Sequence, residues 1–183
     1  MGFLDRLAPL DARGEKNFNR AMQAELRRDF SEAESRFTKC ADALTTLLDK
    51  KREKGKQPLV RHLVMAGIAC VRIGRDEQAL AFLEQAISLR DDIPDAWLHA
   101  GYACAKLGQT KRAVDYWQSY PKWSEDRIVS SALQKILQTW QGKETPDAAS
   151  ACEAIAQAYF SQMRHNHALP PARKDAMLGK RGY

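Results

Sequence analysis

The side chains best suited to chemistry in this sequence are four histidines and four cysteines. Two of the histidines, His165 and His167, flank one asparagine, and a pair of imidazoles can bind a metal ion. Two ligands in a segment expected to be flexible make a weak site, so we predict no bound metal. The cysteines form no Cys-x-x-Cys pair, which disfavours metal and redox chemistry and is typical of reduced thiols in a cytoplasmic protein. They are Cys40, Cys70, Cys104 and Cys152.

Catalysis would require a base, a nucleophile and an orienting group placed together, and the sequence shows no such set. It has neither a glycine-rich phosphate-binding loop nor a nucleophile elbow. His62 and His99 fall at helix positions where a histidine is normally exposed or half-buried. We therefore predict a protein that is not an enzyme and uses no cofactor.

The positive charge of the chain is concentrated in two segments. The net charge is +6, yet residues 50–61 alone carry +5 and residues 164–183 carry +4, so the rest is slightly acidic. A nucleic-acid site normally spreads its basic residues over one face or helix, so this distribution favours solvated, flexible segments. No apolar run approaches the roughly 18–20 residues that span a bilayer, and the first residues lack the apolar stretch of a secretory signal. We expect a cytoplasmic protein and disfavour nucleic-acid and membrane partners; the alternative is that residues 50–61 tether the protein to a nucleic acid or an acidic membrane.

An internal repeat of 34 residues organises the middle of the chain. Where two helices of a hairpin cross closely only small side chains fit, which predicts a crossing at Gly101 and Ala113. Gly108 is predicted to end its helix in the left-handed conformation, and Trp97 and Trp117 to fill the space on either side of the crossing. The matching pairs are Leu63 and Trp97, Gly67 and Gly101, Cys70 and Cys104, Gly74 and Gly108, Ala79 and Ala113, and Leu83 and Trp117.

This pattern resembles the tetratricopeptide repeat family over about 110 residues. The resemblance implies an all-α fold of stacked antiparallel helical hairpins, a solenoid of about three repeats plus two C-terminal helices. The first copy is less faithful, because Ala21 stands where glycine is usual and Arg28 replaces the turn glycine. The expected organisation is an N-terminal segment 1–11, a helical domain 12–163, repeats at about 14–49, 60–93 and 94–121, a basic insertion 50–59, C-terminal helices 124–141 and 146–163, and a basic flexible tail 164–183.

Three helix starts are predicted from local sequence. Ser31 and Glu34 fit a capping box for the second helix of the first repeat. Ser124 is expected to cap the first C-terminal helix, and Thr145 with Pro146 to begin the second.

The resemblance also implies a binding surface along the first helices of the repeats. In this family the concave groove uses the second, fifth, ninth, twelfth and thirteenth positions, which here form an apolar floor edged by basic side chains. Such a groove suits a peptide or helix with apolar anchors and some acidic residues. The predicted groove residues are Phe18, Met22, Arg61, Val64, Ile68, Val71, Arg72, Leu98, Tyr102, Ala105 and Lys106; Glu15, Glu25, Leu26 and Asp95 fall at the remaining positions.

Several alternatives remain open at this level. In one alternative, the protein's own tail or its C-terminal helices fill part of the groove. The preferred function is a non-enzymatic scaffold or adaptor that binds another protein. The alternatives are a small cytoplasmic chaperone similar to those of type III secretion, which tend to be acidic rather than basic, and a self-associating oligomer. The Lys/Asn clamp that grips chaperone tails is absent, since Phe18, Val64 and Leu98 occupy its fifth positions.

Overall fold

The computed structural model describes residues 8–141 and 147–170, which form eight α-helices. The helices are α1 (Leu10–Leu26), α2 (Phe30–Glu53), α3 (Val60–Arg72), α4 (Asp76–Leu89), α5 (Pro94–Lys106), α6 (Thr110–Gln118), α7 (Arg127–Trp140) and α8 (Ala148–Ala168). The predicted all-α fold is confirmed, with no strand among these residues. None of the described helices is both long and apolar enough to cross a membrane.

The helices pair in chain order into four hairpins: α1 with α2, α3 with α4, α5 with α6, and α7 with α8. The first three hairpins stack, because α2 packs on α3 and α4 packs on α5. This arrangement brings α1, α3 and α5 side by side on one side of the stack. We call the surface formed by these three helices the concave face.

Left-handed residues end the first helix of each repeat. Gly74 has φ +72° and Gly108 has φ +73°, as predicted for the turn glycines. Arg28 occupies the equivalent place in the first repeat with φ +62°. This left-handed conformation is unfavourable for any residue that has a Cβ atom. In all three turns the next backbone N–H donates to a carbonyl five residues earlier, which closes the helix end.

Glycines also mark where paired helices touch. A Cβ atom on Gly101 would collide with the indole of Trp117, and one on Gly67 would lie 2.5 Å from Cγ of Leu83. The predicted close approach of α5 and α6 is therefore present. Trp97 does not mirror Trp117, however, because it lies half-buried beside Tyr116, with 6.0 Å between ring centroids.

The structure corrects two helix starts. Asp29, not Ser31, caps α2, because its side chain accepts a hydrogen bond from the N–H of Glu32. Helix α7 follows Asp126, and Ser124 Oγ instead accepts from the N–H of Asp126 at 3.3 Å. The start predicted at residues 145–146 lies outside the described residues.

The ends of the two longest helices bear on the predicted boundaries. Residues 50–53, the first part of the basic insertion, continue α2 as an over-long helix, which is one of the two forms expected for this segment. Helix α8 runs five residues beyond its predicted end at 163, so the first part of the predicted flexible tail is helical. Residues 1–7 and 171–183, which contain most of the predicted terminal segments, lie outside the described residues.

Candidate partner-binding face

The predicted groove residues lie on the three helices of the concave face, but few of them are accessible. Arg61 and Lys106 are exposed, and Met22, Arg72 and Tyr102 are half-buried. The other six are buried, which contradicts the expectation of an open apolar floor. They are Phe18, Val64, Ile68, Val71, Leu98 and Ala105.

Phe18 is buried by a contact within its own hairpin, α1 with α2. Its ring packs edge-on against the ring of Phe37 on α2, with 6.1 Å between centroids. Phe18 is thus a core residue of the α1–α2 hairpin, and its role in a groove stays a prediction. The first repeat departs most from the repeat pattern, which made its register the hardest to assign.

Helix α8 covers the concave face. Its Tyr159 ring stands edge-on to His99 of α5, with 4.9 Å between centroids, and lies 5.0 Å from the guanidinium carbon of Arg72 of α3. Its last turns reach α1, where Arg164 and His167 share a cavity of about 510 Å³ with Arg27. The alternative in which a C-terminal helix fills part of the groove is thus what the structure shows.

The dimensions of α8 match this placement. A helix of 21 residues is about 30 Å long, and three helices packed side by side at 8–10 Å spacing present a face of similar width. The buried residues of α8 recur at helical spacing and form one stripe. They are Ala151, Cys152, Ile155, Ala158, Tyr159, Gln162 and Met163.

Two amides on this stripe tie α8 to α7. Gln162, which is 2% exposed, accepts a hydrogen bond from the N–H of Ile128 at 2.9 Å. Its Nε2 donates to Oδ1 of Asn166, and Nδ2 of Asn166 donates to Oδ1 of Asp126 at 3.2 Å. Sequence reasoning missed this pair, although a glutamine and an asparagine four residues apart on an apolar stripe are a usable signal.

The basic edge predicted for the groove is largely neutralised from within. Arg72 Nε donates to Glu25 Oε1 at 2.8 Å, and both side chains are less than one-fifth exposed. Arg61 pairs with Glu15 at 2.8 Å, and Nε2 of His62 lies at the same distance from that carboxylate oxygen. Since α1 supplies the acid that a partner was expected to bring, these arginines are not free to recruit an acidic ligand.

Burial around Arg72 changes proton affinities on this face. Desolvation lowers the pKa of the Arg72 guanidinium, but Glu25, Tyr159 and Tyr102 together raise it by more, so the pKa lies above its usual value. For a thiol, burial acts in the opposite direction, and it raises the pKa of Cys152, near the start of α8, to about 11. His62 and His99, which were expected to be exposed or half-buried, are each only 1% exposed.

A second concavity lies between α6 and α7. Its volume is about 820 Å³, and the rings of Trp117 and Trp140 meet at its base with 5.4 Å between centroids. The loop beside it carries Trp123, whose side chain is exposed. No sequence pattern indicated this cavity, because it depends on where the α7–α8 hairpin docks.

The histidines and cysteines form no metal site in the part of the chain that the structure describes. No cluster of three or more His, Cys, Asp or Glu side chains that could hold a metal ion occurs there. All four cysteines are buried and unpaired with one another. Burial raises the pKa of Cys70 to about 12, which makes this thiol a poor nucleophile.

Comparison with known proteins supports the repeat. Residues 61–93 match the family model of the tetratricopeptide repeat, and this segment contains the α3–α4 hairpin. No curated protein and no solved structure matches the chain. The match confirms the resemblance inferred from the 34-residue period.

Proposed function

We propose that this chain, a tetratricopeptide-repeat protein, is a non-enzymatic scaffold or adaptor that binds a helix of another protein on its concave face. The repeat itself indicates a role in protein–protein interaction. The observation that carries the finer proposal is α8, an amphipathic helix that already lies across α5, α3 and α1. A face that accommodates one such helix has the width and apolar lining to accommodate another.

Lys106 gives the proposal a testable contact. It is exposed at the C-terminal end of α5, on the concave face and near the start of α8. A partner that runs along the face passes this lysine, and acidic residues on the partner would pair with it. Lys111 of α6 is also exposed, but it lies on the second helix of the hairpin and outside the concave face, so it serves as a matched control.

The first step of the test is affinity capture from cells of the source organism, followed by purification of the recovered protein. A photoreactive residue is then placed at position 106 or at position 111. We expect the purified partner to cross-link from 106 and not from 111. Charge reversal by Lys106→Glu should weaken binding about tenfold, while Lys111→Glu should leave it unchanged. Cross-linking from 111 alone, or equal effects of the two reversals, would contradict the proposal.

The same material separates the alternatives. A chaperone would have a client that becomes insoluble when this chain is removed, whereas an adaptor's partner stays soluble. A self-associating chain would show a mass that rises with concentration in light scattering. Residence in the cytoplasm remains a prediction that imaging of the tagged protein would test.

A further inference from the structure

The α7–α8 hairpin is joined to the repeats by two unequal interfaces. On one side α8 packs along the concave face. On the other side α7 meets α6, a helix of only nine residues, across the cavity of about 820 Å³. Across this junction the rings of Trp117 and Trp140 pack with 5.4 Å between their centroids, and the open cavity beside them limits further contact between the two helices.

The hairpin is in contrast well joined within itself. Two hydrogen bonds, from the N–H of Ile128 to Oε1 of Gln162 and from Nδ2 of Asn166 to Oδ1 of Asp126, link α8 to the start of α7. A movement of the two helices as one unit would leave these bonds intact. The contacts that oppose such a movement are the Trp117–Trp140 pair between α6 and α7 and those of α8 with the concave face, among which Tyr159 touches both α5 and α3.

From this arrangement we infer that α8 is a built-in competitor that keeps the concave face closed, and that the partner is an amphipathic helix that takes the place of α8. This inference rests on the proposed function and specifies both its ligand and its regulation. The chemistry of the partner follows from α8 itself. It is a helix of about five turns with a stripe of small and apolar side chains, and with one aromatic ring that fits between His99 and Arg72.

The tether sets how strongly α8 competes. A covalently linked segment acts at an effective concentration in the millimolar range when its linker reaches the site. A free helix of equal intrinsic affinity therefore binds the closed protein much more weakly than an opened one. Loss of the Tyr159 contacts should shift this balance in favour of the free helix.

The test uses the full chain and a fluorescein-labelled peptide of residues 147–170 as the probe. Tyr159→Ala removes the ring that contacts His99 and Arg72 and keeps a good helix former in α8. Phe160→Ala is the matched control, because it removes a neighbouring half-buried ring that packs near Arg164 rather than on α3 or α5. Fluorescence anisotropy measures the dissociation constant of the peptide for each protein.

We expect Tyr159→Ala to bind the peptide at least tenfold more tightly than the wild type, and Phe160→Ala to behave like the wild type. Equal binding by the wild type and Tyr159→Ala would mean that the face is open in solution and would overturn the inference. Absence of binding to a folded Tyr159→Ala variant and also to the double variant Ile155→Asp/Tyr159→Ala would overturn it as well.

Hydrogen exchange of the wild type provides a measurement that needs no variant. Once displaced, the α7–α8 hairpin lacks packing against the repeats and its helices unfold easily, so amides of α8 should exchange at least tenfold faster than those of α3 and α5. Equal protection of the three helices would show that α8 leaves only with global unfolding, against the inference.

The peptide assay is independent of the partner, which separates this inference from the proposed function. If Tyr159→Ala gains affinity for the peptide while the purified partner binds wild type and variant equally, α8 closes the face but the partner docks elsewhere. The proposed function then fails, and the closure stands. If the partner cross-links at position 106 while peptide binding is equal in all variants, the proposed function stands without self-closure.

Discussion

Replacement of Gly101 by alanine tests how tightly the third hairpin is closed. In a helix interior this change normally stabilises by about 1 kcal/mol, because alanine is the better helix former. Here the added Cβ would collide with the indole of Trp117, two of whose atoms it would approach closely and whose Cε2 it would meet at 2.9 Å. The ring is pinned by Trp140 and by a buried hydrogen bond from its Nε1 to the carbonyl oxygen of Leu98 at 3.2 Å.

The expected loss follows from these contacts. Overpacking of a core costs about 1–3 kcal/mol, and loss of the indole hydrogen bond about 1 kcal/mol more. Against the gain in helix propensity, the net destabilisation of Gly101→Ala should be about 2 kcal/mol, which lowers the melting temperature by roughly 4–8 °C. The free energy of unfolding is measured by urea titration with circular dichroism, and the melting temperature by calorimetry.

Gly67→Ala is the matched control in the second repeat. Its Cβ would crowd Leu83 at 2.5 Å, but a leucine side chain can change rotamer and no hydrogen bond is lost. The penalty should be smaller, about 1 kcal/mol before the propensity gain, and so close to neutral overall. If Gly101→Ala is as stable as the wild type, or less destabilising than Gly67→Ala, the close approach of α5 and Trp117 is not present in solution and the reasoning fails.

Three further predictions concern the turn, the crossing and the buried thiols. Arg28→Gly should raise stability by about 1 kcal/mol in urea titration, because it relieves the left-handed strain at φ +62°; no gain would mean that the turn relaxes. Ala113→Leu should cost about 1–3 kcal/mol by the same assay, since Ala113 is fully buried, and an unchanged midpoint would argue against the crossing. Cys152 keeps its proton in the folded state up to a pKa of about 11, whereas the unfolded thiol loses it near 9.0. Stability should therefore fall as pH rises from 9 towards 11, by up to about 1.4 kcal/mol per pH unit for this thiol, and Cys152→Ala should reduce that slope in unfolding titrations between pH 8 and 10.5.

Features governed by local sequence were predictable. Gly74 and Gly108 were assigned to left-handed helix ends because glycine lacks the Cβ that opposes that conformation. The close approach of α5 and α6 at Gly101 was predicted from the repeat period, but the side chain that a Cβ there would meet is Trp117, which was expected to lie beside the crossing. The exception at Arg28 shows that backbone hydrogen bonds of the turn can impose the conformation on an arginine.

The state of the groove was harder to predict, because it depends on contacts between distant parts of the chain. The spacing of apolar residues in α8 predicts an apolar stripe, but it does not determine which surface that stripe covers. Two ion pairs, Glu25 with Arg72 and Glu15 with Arg61, were easier to predict from the sequence, because opposite charges stand at or beside equivalent positions of adjacent repeats. Comparison of charge between repeats would have shown that the basic edge is neutralised.

The reach of α8 from α5 back to α1 has a consequence for how the molecule folds. Stacked hairpins usually contact only their neighbours, so such chains can fray from either end, one repeat at a time. Here the last helix touches the first, and Tyr159 touches the second and third repeats together. These contacts join residues far apart in sequence, so they slow folding through their loop-closure entropy, and while α8 is docked they couple the three repeats to one another. Release of α8 would return the protein to a chain of semi-independent hairpins, with a broader unfolding transition and faster exchange at its ends.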